Sequence, residues 1–579
     1  MPVHNADIAA VFEEIADRLE IEGENRFRVR AYRNAARTLR GLGREVTAML
    51  AAGEPLTDLP GIGVDLAGKI QDAVAYGPER VLAPFQEQTP RALIALLQIP
   101  GLGPKRVKAL HVQLGIETPA DLKRACVAGR VRALRGFGAK TEAHILKALA
   151  ERAVETHRMP RATAAAYAEA YADYLRRVPG VEEVTIAGSY RRGQETVGDL
   201  DLLVSAPPDS PVMQRFVRYD EVATVAAQGP TRATVVLKSK LQVDLRVVPR
   251  ESYGAALQYF TGGKAHNVAL RHRAQTLGLK INEYGVFRAA HRIAGATEES
   301  VYQSVGLPYI PPELREDHGE IAAAEAGRLP RLIEPADLRG DLHAHTRATD
   351  GRNSLRQMAL AARARDLEYL AITDHSQHLG MAHGLDAKRL RAQLEAIDRL
   401  NAELTGITLL KGIEVDILED GRLDLSDDVL SGLDLIVGAV HSHFGLSRAQ
   451  QTERILRAMD QRHFTLLAHP SGRLIDARAA YDLDLERIIR HARDRGCYLE
   501  ANAQPVRLDL TDSGCRMAKA AGVLVSLNSD AHSVLDLGQM RFGVDQARRG
   551  WLEKDDVLNT RSLAVLRPLL ARPRIAARV

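Results

Sequence analysis

Two groups of side chains in this 579-residue chain have the types and spacing of reactive sites. The first lies in IAGSYRRGQETVGDLDLLVS (186–205), where Asp199 and Asp201 stand two residues apart. On a strand, that spacing points both carboxylates to one face. Asp244 joins them from the apolar run LQVDLRVV, in which an unpaired acid would be costly to bury. Three acids on one side suit Mg2+ or Mn2+, hard ions that prefer oxygen donors. Two such ions can activate an attacking 3′ oxygen and stabilise a leaving pyrophosphate, so the chemistry implied is nucleotidyl transfer. Gly188 and Ser189 would offer a triphosphate close backbone approach and a hydroxyl, and Arg192 would neutralise charge developing on it.

The second group is imidazole-rich. Of 19 histidines, 11 follow Pro335, and several stand where short apolar runs end. His343 and His345 alternate in GDLHAHT; Asp350 follows, then His375 in LAITDHS, Glu414 in KGIEVDI, His441 in GAVHSH, His469 in LLAHP, and Asp530 with His532 in SLNSDAHS. Ligand-type residues at the ends of successive strands lie on the rim where β/α barrels build active sites. A metal cluster there would polarise a phosphoryl oxygen and bring the pKa of a bound water to about 7, chemistry suited to phosphodiester hydrolysis. The imidazoles favour Mn, Zn or Fe over Mg. His378, His443 and Asp374 fall off the main pattern and are expected beside the ligands or facing solvent; Cys515 is expected to be structural.

The elements that must position these groups divide the chain. From Asp7 to about Ala150 the pattern is amphipathic and helical. Short strands follow between about Val181 and Val248, as in a small mixed sheet. A proline-rich stretch from Leu307 to Pro335 has the composition of a linker. Beyond it, six apolar strands alternate with helical segments, as in a barrel. The helical region repeats one device three times, LPGIGVDLAGKI (59–70), IPGLGPKRVKAL (99–110) and LRGFGAKTEAHI (134–145). In each, a Gly-x-Gly turn precedes a helix whose unpaired N–H groups and positive dipole end can meet a DNA phosphate. The candidate DNA contacts are Gly61, Gly63, Gly101, Gly103, Lys105, Gly136 and Gly138. Residues 101–150 carry ten Lys/Arg against three acids, a local basic excess that a net charge of +4 conceals.

Composition narrows the class. A chain of this length needs several cores. No apolar run reaches the ~18 residues of a membrane span, and the opening residues form an acidic amphipathic pattern rather than a secretory signal. Cys126, Cys497 and Cys515 are too few and scattered for a disulfide framework. A soluble cytoplasmic protein without a membrane partner is expected.

The motifs resemble known families. With RVRAYRNAAR (28–37), the first Gly turn resembles the N-terminal lyase domain of DNA polymerase beta, which implies that Lys69 stands at the Schiff-base position; Asn34 and Asp65 replace further lysines of that family. A lysine can attack a sugar aldehyde only when neutral. The palm pattern is common to beta-like nucleotidyltransferases, but YFTGGKAHNVALRHRAQTLGLKINEYGVF (259–287) resembles the thumb of family X polymerases. That resemblance implies that Tyr259, Phe260 and Gly262 flank the incoming sugar, Asn267 faces the base and Arg271 meets the template; His266 stands where the beta enzyme is aromatic. Residues 336–579 resemble the PHP phosphoesterases. Their pattern implies His343, His345, Glu414 and Asp530 around one metal, Glu414, His441 and His469 around a second, and Asp350, His375 and His532 around a third.

The order of motifs is similar to that of bacterial family X DNA polymerases with a C-terminal PHP domain. The fold expected is multidomain, with an all-α helix-hairpin-helix N-terminal region, a mixed α/β nucleotidyltransferase palm and thumb, and a distorted C-terminal (β/α) barrel of PHP type. Boundaries are expected near a lyase-like domain at 1–90, a fingers-like region at 91–150, a palm at 151–250, a thumb at 251–315, a linker at 316–335 and the PHP domain at 336–579. The resemblance implies gap filling in base-excision repair or end joining, a metal-dependent 3′–5′ exonuclease, abasic-site or deoxyribose-phosphate lyase activity, gapped or nicked DNA and dNTPs as partners, two or three PHP metals, and a monomer. Three alternatives stay open on the residues alone: an RNA-tailing nucleotidyltransferase fused to a phosphatase, a DNA-binding scaffold with decayed sites, and a C-terminal half that hydrolyses small phosphomonoesters.

Overall fold

The computed structural model describes residues 3, 5–41, 46–59, 61–86, 91–97, 99, 102–134, 136–153 and 158–571. Two compact units result, one within residues 1–157 and one within 158–579. The first is all-helical. In its helix Arg26–Gly41, Val29, Tyr32, Ala35 and Leu39 recur at three- to four-residue spacing and are buried, against Phe12 and Ile15 of helix Asn5–Glu22 among others. A second core joins Leu96, Leu110, Leu122 and Ile145.

The second unit opens with a five-stranded mixed sheet in the order Glu183–Ile186, Asp199–Ser205, Gln242–Val248, Arg232–Leu237, Val222–Gln228. Its two acid-bearing strands run parallel, with Asp201 in register with Asp244. Leu200, Leu202 and Val204 face a core shared with Ala168, Tyr171 and Leu175 of helix Arg161–Arg176, which leaves Asp199 and Asp201 on the other face. Helices Tyr253–Thr261 and Lys264–Thr276, a three-stranded antiparallel sheet and helix Glu298–Ser304 follow.

The stretch expected as a linker is built in. It contains helix Glu320–Glu325, and Leu314, Arg315, Glu320, Ala324 and Leu332 are buried. Two of its prolines, Pro312 and Pro335, open 3-10 turns, and the apolar residues between them pack into the core with Val301, Tyr302 and Trp551.

Seven parallel strands make the barrel in sequential order from Gly340–Asp341 to Val525–Asn528. Ala344 meets Ala531 in a parallel bridge, and His345 N–H donates to Ala531 O at 2.8 Å, which brings the first and last strands together at the C-terminal rim. Inside lie Leu342, Leu410, Val437 and Leu466, joined by Leu566 and Leu570 of the last described helix, Leu563–Leu570. Tyr498 reaches this helix through a hydrogen bond to Leu569 O. The opposite end of the barrel is the histidine-bearing rim.

Candidate active sites

In the palm, the backbone of Gly188 takes a φ of +61°, and a Cβ there would stand 2.0 Å from Asp201 Oδ2. Only glycine allows that approach. Asp244 is engaged by the Thr234 hydroxyl and, at 2.7 Å, by Gln242 Nε2. Burial raises Asp201 to about 7, with Asp199 and Asp244 adding their repulsion. Asp199 is raised by the same causes, burial first and Asp244 next. Such a set of acids at neutral pH calls for cations, which is the fit expected of an oxygen-liganded metal site. Ser189 lies half-buried at the start of the short helix Gly188–Arg191. Arg192 is already held: Nε donates to Glu316 at 2.7 Å and Nη1 to Thr261 O at 2.8 Å.

In the thumb, Tyr259 and Phe260 meet edge to face with centroids 5.1 Å apart, and Arg271 lies 6.0 Å over Tyr259. Asn267, expected toward a base, is turned inward. Its amide donates to Tyr259 O and Gly262 O and accepts from Gln258, because the end of helix Tyr253–Thr261 leaves carbonyls that need donors. Gly262 leaves no room for a side chain beside it, since a Cβ would stand 2.4 Å from Asn267 Oδ1. His266 is buried between Glu320 at 2.6 Å and the Tyr302 hydroxyl at 2.9 Å.

In the helical unit, Gly61 and Gly136 have positive φ (75° and 89°), while Gly63 and Gly103 sit at helix N-caps with no side-chain capping bond. Gly63, Gly103 and Gly138 have open space where a Cβ would be, and Lys105 is exposed in the first turn after Gly103. Gly101 lies outside the described residues. Lys69 Nζ is 2.5 Å from Asp65 and 6.0 Å over the Tyr32 ring.

The barrel rim gathers the histidines. Three groups have ligand atoms all within 4.8 Å of one another: His345, Asp350, His375 and His532; His343, His345 and Asp530; His375, Glu414 and His441. Glu414 stands centrally, with Oε2 3.4 and 3.5 Å from His343 and His345 Nε2, and Oε1 3.0 and 3.4 Å from His469 and His441 Nε2. The grouping differs from the family expectation in that His345 and His375 each border two groups, their rings 4.4 Å apart. The fit to metal is chemical: His343 Nε2, both ring nitrogens of His345, His375 Nδ1, His469 Nδ1 and Glu414 Oε2 are buried without a hydrogen-bond partner. Burial takes His345 down to about 3, helped by His532 and His375, so it is a neutral imidazole with lone pairs to give. Burial works the same way on His343, but Glu500, Glu414 and Asp530 outweigh it and hold it well above the usual value. His469 and Asp530 adopt positive φ (27° and 50°), backbone strain of the kind found at functional sites.

Sequence reasoning missed the carboxylates behind the ligands. Glu500 is fully buried and bonds His343 Nδ1 at 2.7 Å and His469 N–H at 2.8 Å, while Asp416 bonds His441 Nδ1 at 2.6 Å. Such contacts fix ring orientation and tautomer. The signal was present: Glu500 interrupts the apolar run CYLEANA, as Asp244 interrupts its own. Asp374 is buried, held by Thr346, Thr349 and Gln393, whereas His378 and His443 are half exposed. Cys515 is buried, and burial raises its thiol.

The two sites define a class, a nucleotidyltransferase palm joined to a metal-binding barrel of phosphoesterase type. Family comparisons match residues 158–249 to the DNA polymerase beta palm, 256–316 to its thumb, 341–504 to the PHP domain, and 3–78 and 93–151 to helix-hairpin-helix domains. The chain is 38% identical over 574 residues to the DNA polymerase/3′-5′ exonuclease PolX of Bacillus subtilis (strain 168), covering 98% of this chain and all of that one. A probable phosphatase of Thermoanaerobacter sp. (strain X514) is 27% identical over 38% of this chain and 89% of its own. DNA polymerase lambda of Rattus norvegicus is 26% identical over 54% of this chain and 56% of its own. The chain therefore belongs to the family X DNA polymerases that carry a C-terminal PHP domain. No described helix is long and apolar enough to cross a membrane.

Proposed function

We propose that the chain is a template-directed DNA repair polymerase, filling gaps in base-excision repair or end joining, with a 3′–5′ exonuclease in its barrel. The observation that carries this reading is the coexistence, in one chain, of the palm acids around Asp201 and the cluster of buried, unpartnered imidazole and carboxylate atoms around Glu414. The likeness to the Bacillus protein along nearly the whole chain supports it.

At the palm, Asp199, Asp201 and Asp244 would hold Mg2+ or Mn2+; when bound, such ions supply charge that offsets the triphosphate and lowers the barrier to in-line displacement. Gly188 would bring backbone close to the phosphates, and Arg192, held at Nε and Nη1, would offer them its remaining nitrogen. At the rim, His343, His345, His375, His441, His469, His532, Asp350, Glu414 and Asp530 would hold two or three Mn2+, Zn2+ or Fe ions, which supply Lewis acidity toward a phosphoryl oxygen. Glu500 and Asp416 accept from the ring nitrogens that face away from the cluster, keeping the other nitrogen of each ring aimed at the site. The open Gly turns and Lys105 would grip the DNA backbone without reading sequence. Gapped or nicked DNA and dNTPs are the partners, and Lys69 would attack an abasic-site aldehyde.

The test is a gel assay on one-nucleotide-gapped DNA with Mn2+, with and without dNTPs and with a borohydride arm. Asp201→Ala should lose extension by at least ~100-fold and keep 3′ shortening; His343→Ala should do the reverse. Loss of both activities in either folded variant overturns two separate sites, and absence of a Lys69-dependent trapped adduct overturns the lyase reading. The match of the barrel to a protein described as a probable phosphatase supports a second reading, a small phosphomonoester as substrate. Competition between a 3′-labelled end and such an ester separates the two.

A further inference from the structure

One helix of the barrel, Met540–Arg549, is bonded directly into the palm's nucleotide loop. Arg549, 8% exposed, donates through Nη1 to Glu316 Oε1 and to Arg192 O, both at 3.3 Å, and through Nη2 to Asp512 at 2.7 Å. Glu316 Oε1 is the same oxygen that takes Arg192 Nε at 2.7 Å. The carboxylate is thus shared by two guanidinium groups, one from the palm and one from the barrel. Beside it, Gly193 packs so closely that an added Cβ would stand 3.2 Å from Asp545 Cβ. Glu195, two residues on, is paired with Arg473 at 2.5 and 3.0 Å and accepts from Gln546 at 2.7 Å. The loop is therefore held by barrel side chains at Arg192 O and over the three residues that follow it, while Arg191 before it is held by Glu298 of the thumb.

We propose that Arg549 is a positioning residue for nucleotide incorporation: through Glu316 and the Arg192 carbonyl it sets the place of Arg192 and the net charge around it, so the barrel tunes how tightly the palm takes a dNTP. The inference rests on the reading of Arg192 as a triphosphate ligand. Its physical basis is a chain of alternating charges, Arg192, Glu316, Arg549 and Asp512, that is neutral when complete. Without Arg549 it carries an excess negative charge, and Glu316, released from one partner, pairs more strongly with Arg192. Both effects oppose the arrival of a polyanion.

The experiment is steady-state incorporation on gapped DNA with the full chain, comparing wild type, Arg549→Met, Arg549→Lys, Glu316→Gln and Arg192→Met. Arg549→Met is expected to raise KM for dNTP about tenfold, the scale of one lost charged hydrogen bond, with KM for DNA and the 3′–5′ nuclease rate unchanged. Arg549→Lys restores most of the loss, which a purely structural role would not require. A dNTP KM within twofold of wild type in Arg549→Met, while Arg192→Met raises it, overturns the proposal. An unchanged KM in Arg192→Met overturns instead the reading of Arg192 on which it rests. Should Arg549→Met lose its nuclease or its thermal transition, Glu316→Gln decides: with the competing acid gone, a dNTP KM several-fold below wild type supports the proposal, and a KM within twofold of wild type or above it overturns it.

Discussion

Glu500 is fully buried, and it accepts from His343, Asn528 and Asn502 and from the backbone of His469. It thus orients the His343 ring and anchors the backbone of His469. Glu500→Gln keeps the shape but replaces a charged acceptor by an amide that can donate toward His343, so the ring loses the partner that fixes its tautomer. Metal affinity should fall by ~10- to 100-fold. Metal content after competition with a graded series of chelators measures this, and retention equal to wild type would show that His343 needs no such support. At this scale the sequence was legible wherever a candidate ligand sits in an apolar run with a local partner, as for Asp199 with Asp201 and His343 with His345. The inward bonds of Asn267 were not legible, because its acceptors, Tyr259 O and Gly262 O, are left open only once a helix ends there.

Among the elements, the thumb is tied to the palm by a buried triad. Glu298, 5% exposed, bonds Arg191 at 2.7 and 2.9 Å and also pairs with Arg315. Burial opposes its ionisation, but the bonds and charges of Arg191 and Arg315 prevail and hold it below the ordinary 4.5. A carboxylate lowered in the folded state adds stability that is complete above its ordinary pKa and fades as pH falls through the lowered one. Glu298→Gln should therefore cost ~3–5 kcal/mol at neutral pH. Thermal melts of the two proteins should differ by a constant gap above about pH 4.5 and converge in more acid buffer; a gap independent of pH would mean the triad acts by packing alone. Elements with one strong periodicity were readable from the chain: helix Arg26–Gly41, the acid-bearing strand Asp199–Ser205, and the apolar strands of the barrel. The stretch 316–335 was not, because proline marks where regular structure stops and says nothing about burial.

For the whole molecule, DNA affinity is a sum of phosphate contacts, and we propose Lys105 as one contact in that sum. Lys105→Ala should weaken binding equally for all sequences and lower the magnitude of the slope of log K against log salt by about one. Fluorescence anisotropy over a salt series reads this, and a sequence-dependent loss would contradict backbone recognition. Lys108, by contrast, donates to Glu22 O, so its removal should act on stability first. The order of domains was legible because each carries a contiguous motif. The union of palm and barrel was not, since its pairs lie hundreds of positions apart, as Glu195 and Arg473 do.

That union has a historical consequence. Glu195, Glu313 and Glu316 face Arg473, Arg548 and Arg549 across it. A lineage that shed the barrel would inherit three acids stripped of their barrel arginines next to its nucleotide loop, where the uncompensated negative charge would oppose the substrate. Loss of the hydrolytic half is therefore not a single deletion but a deletion followed by replacement of those acids, and descendants should betray the event at these three positions.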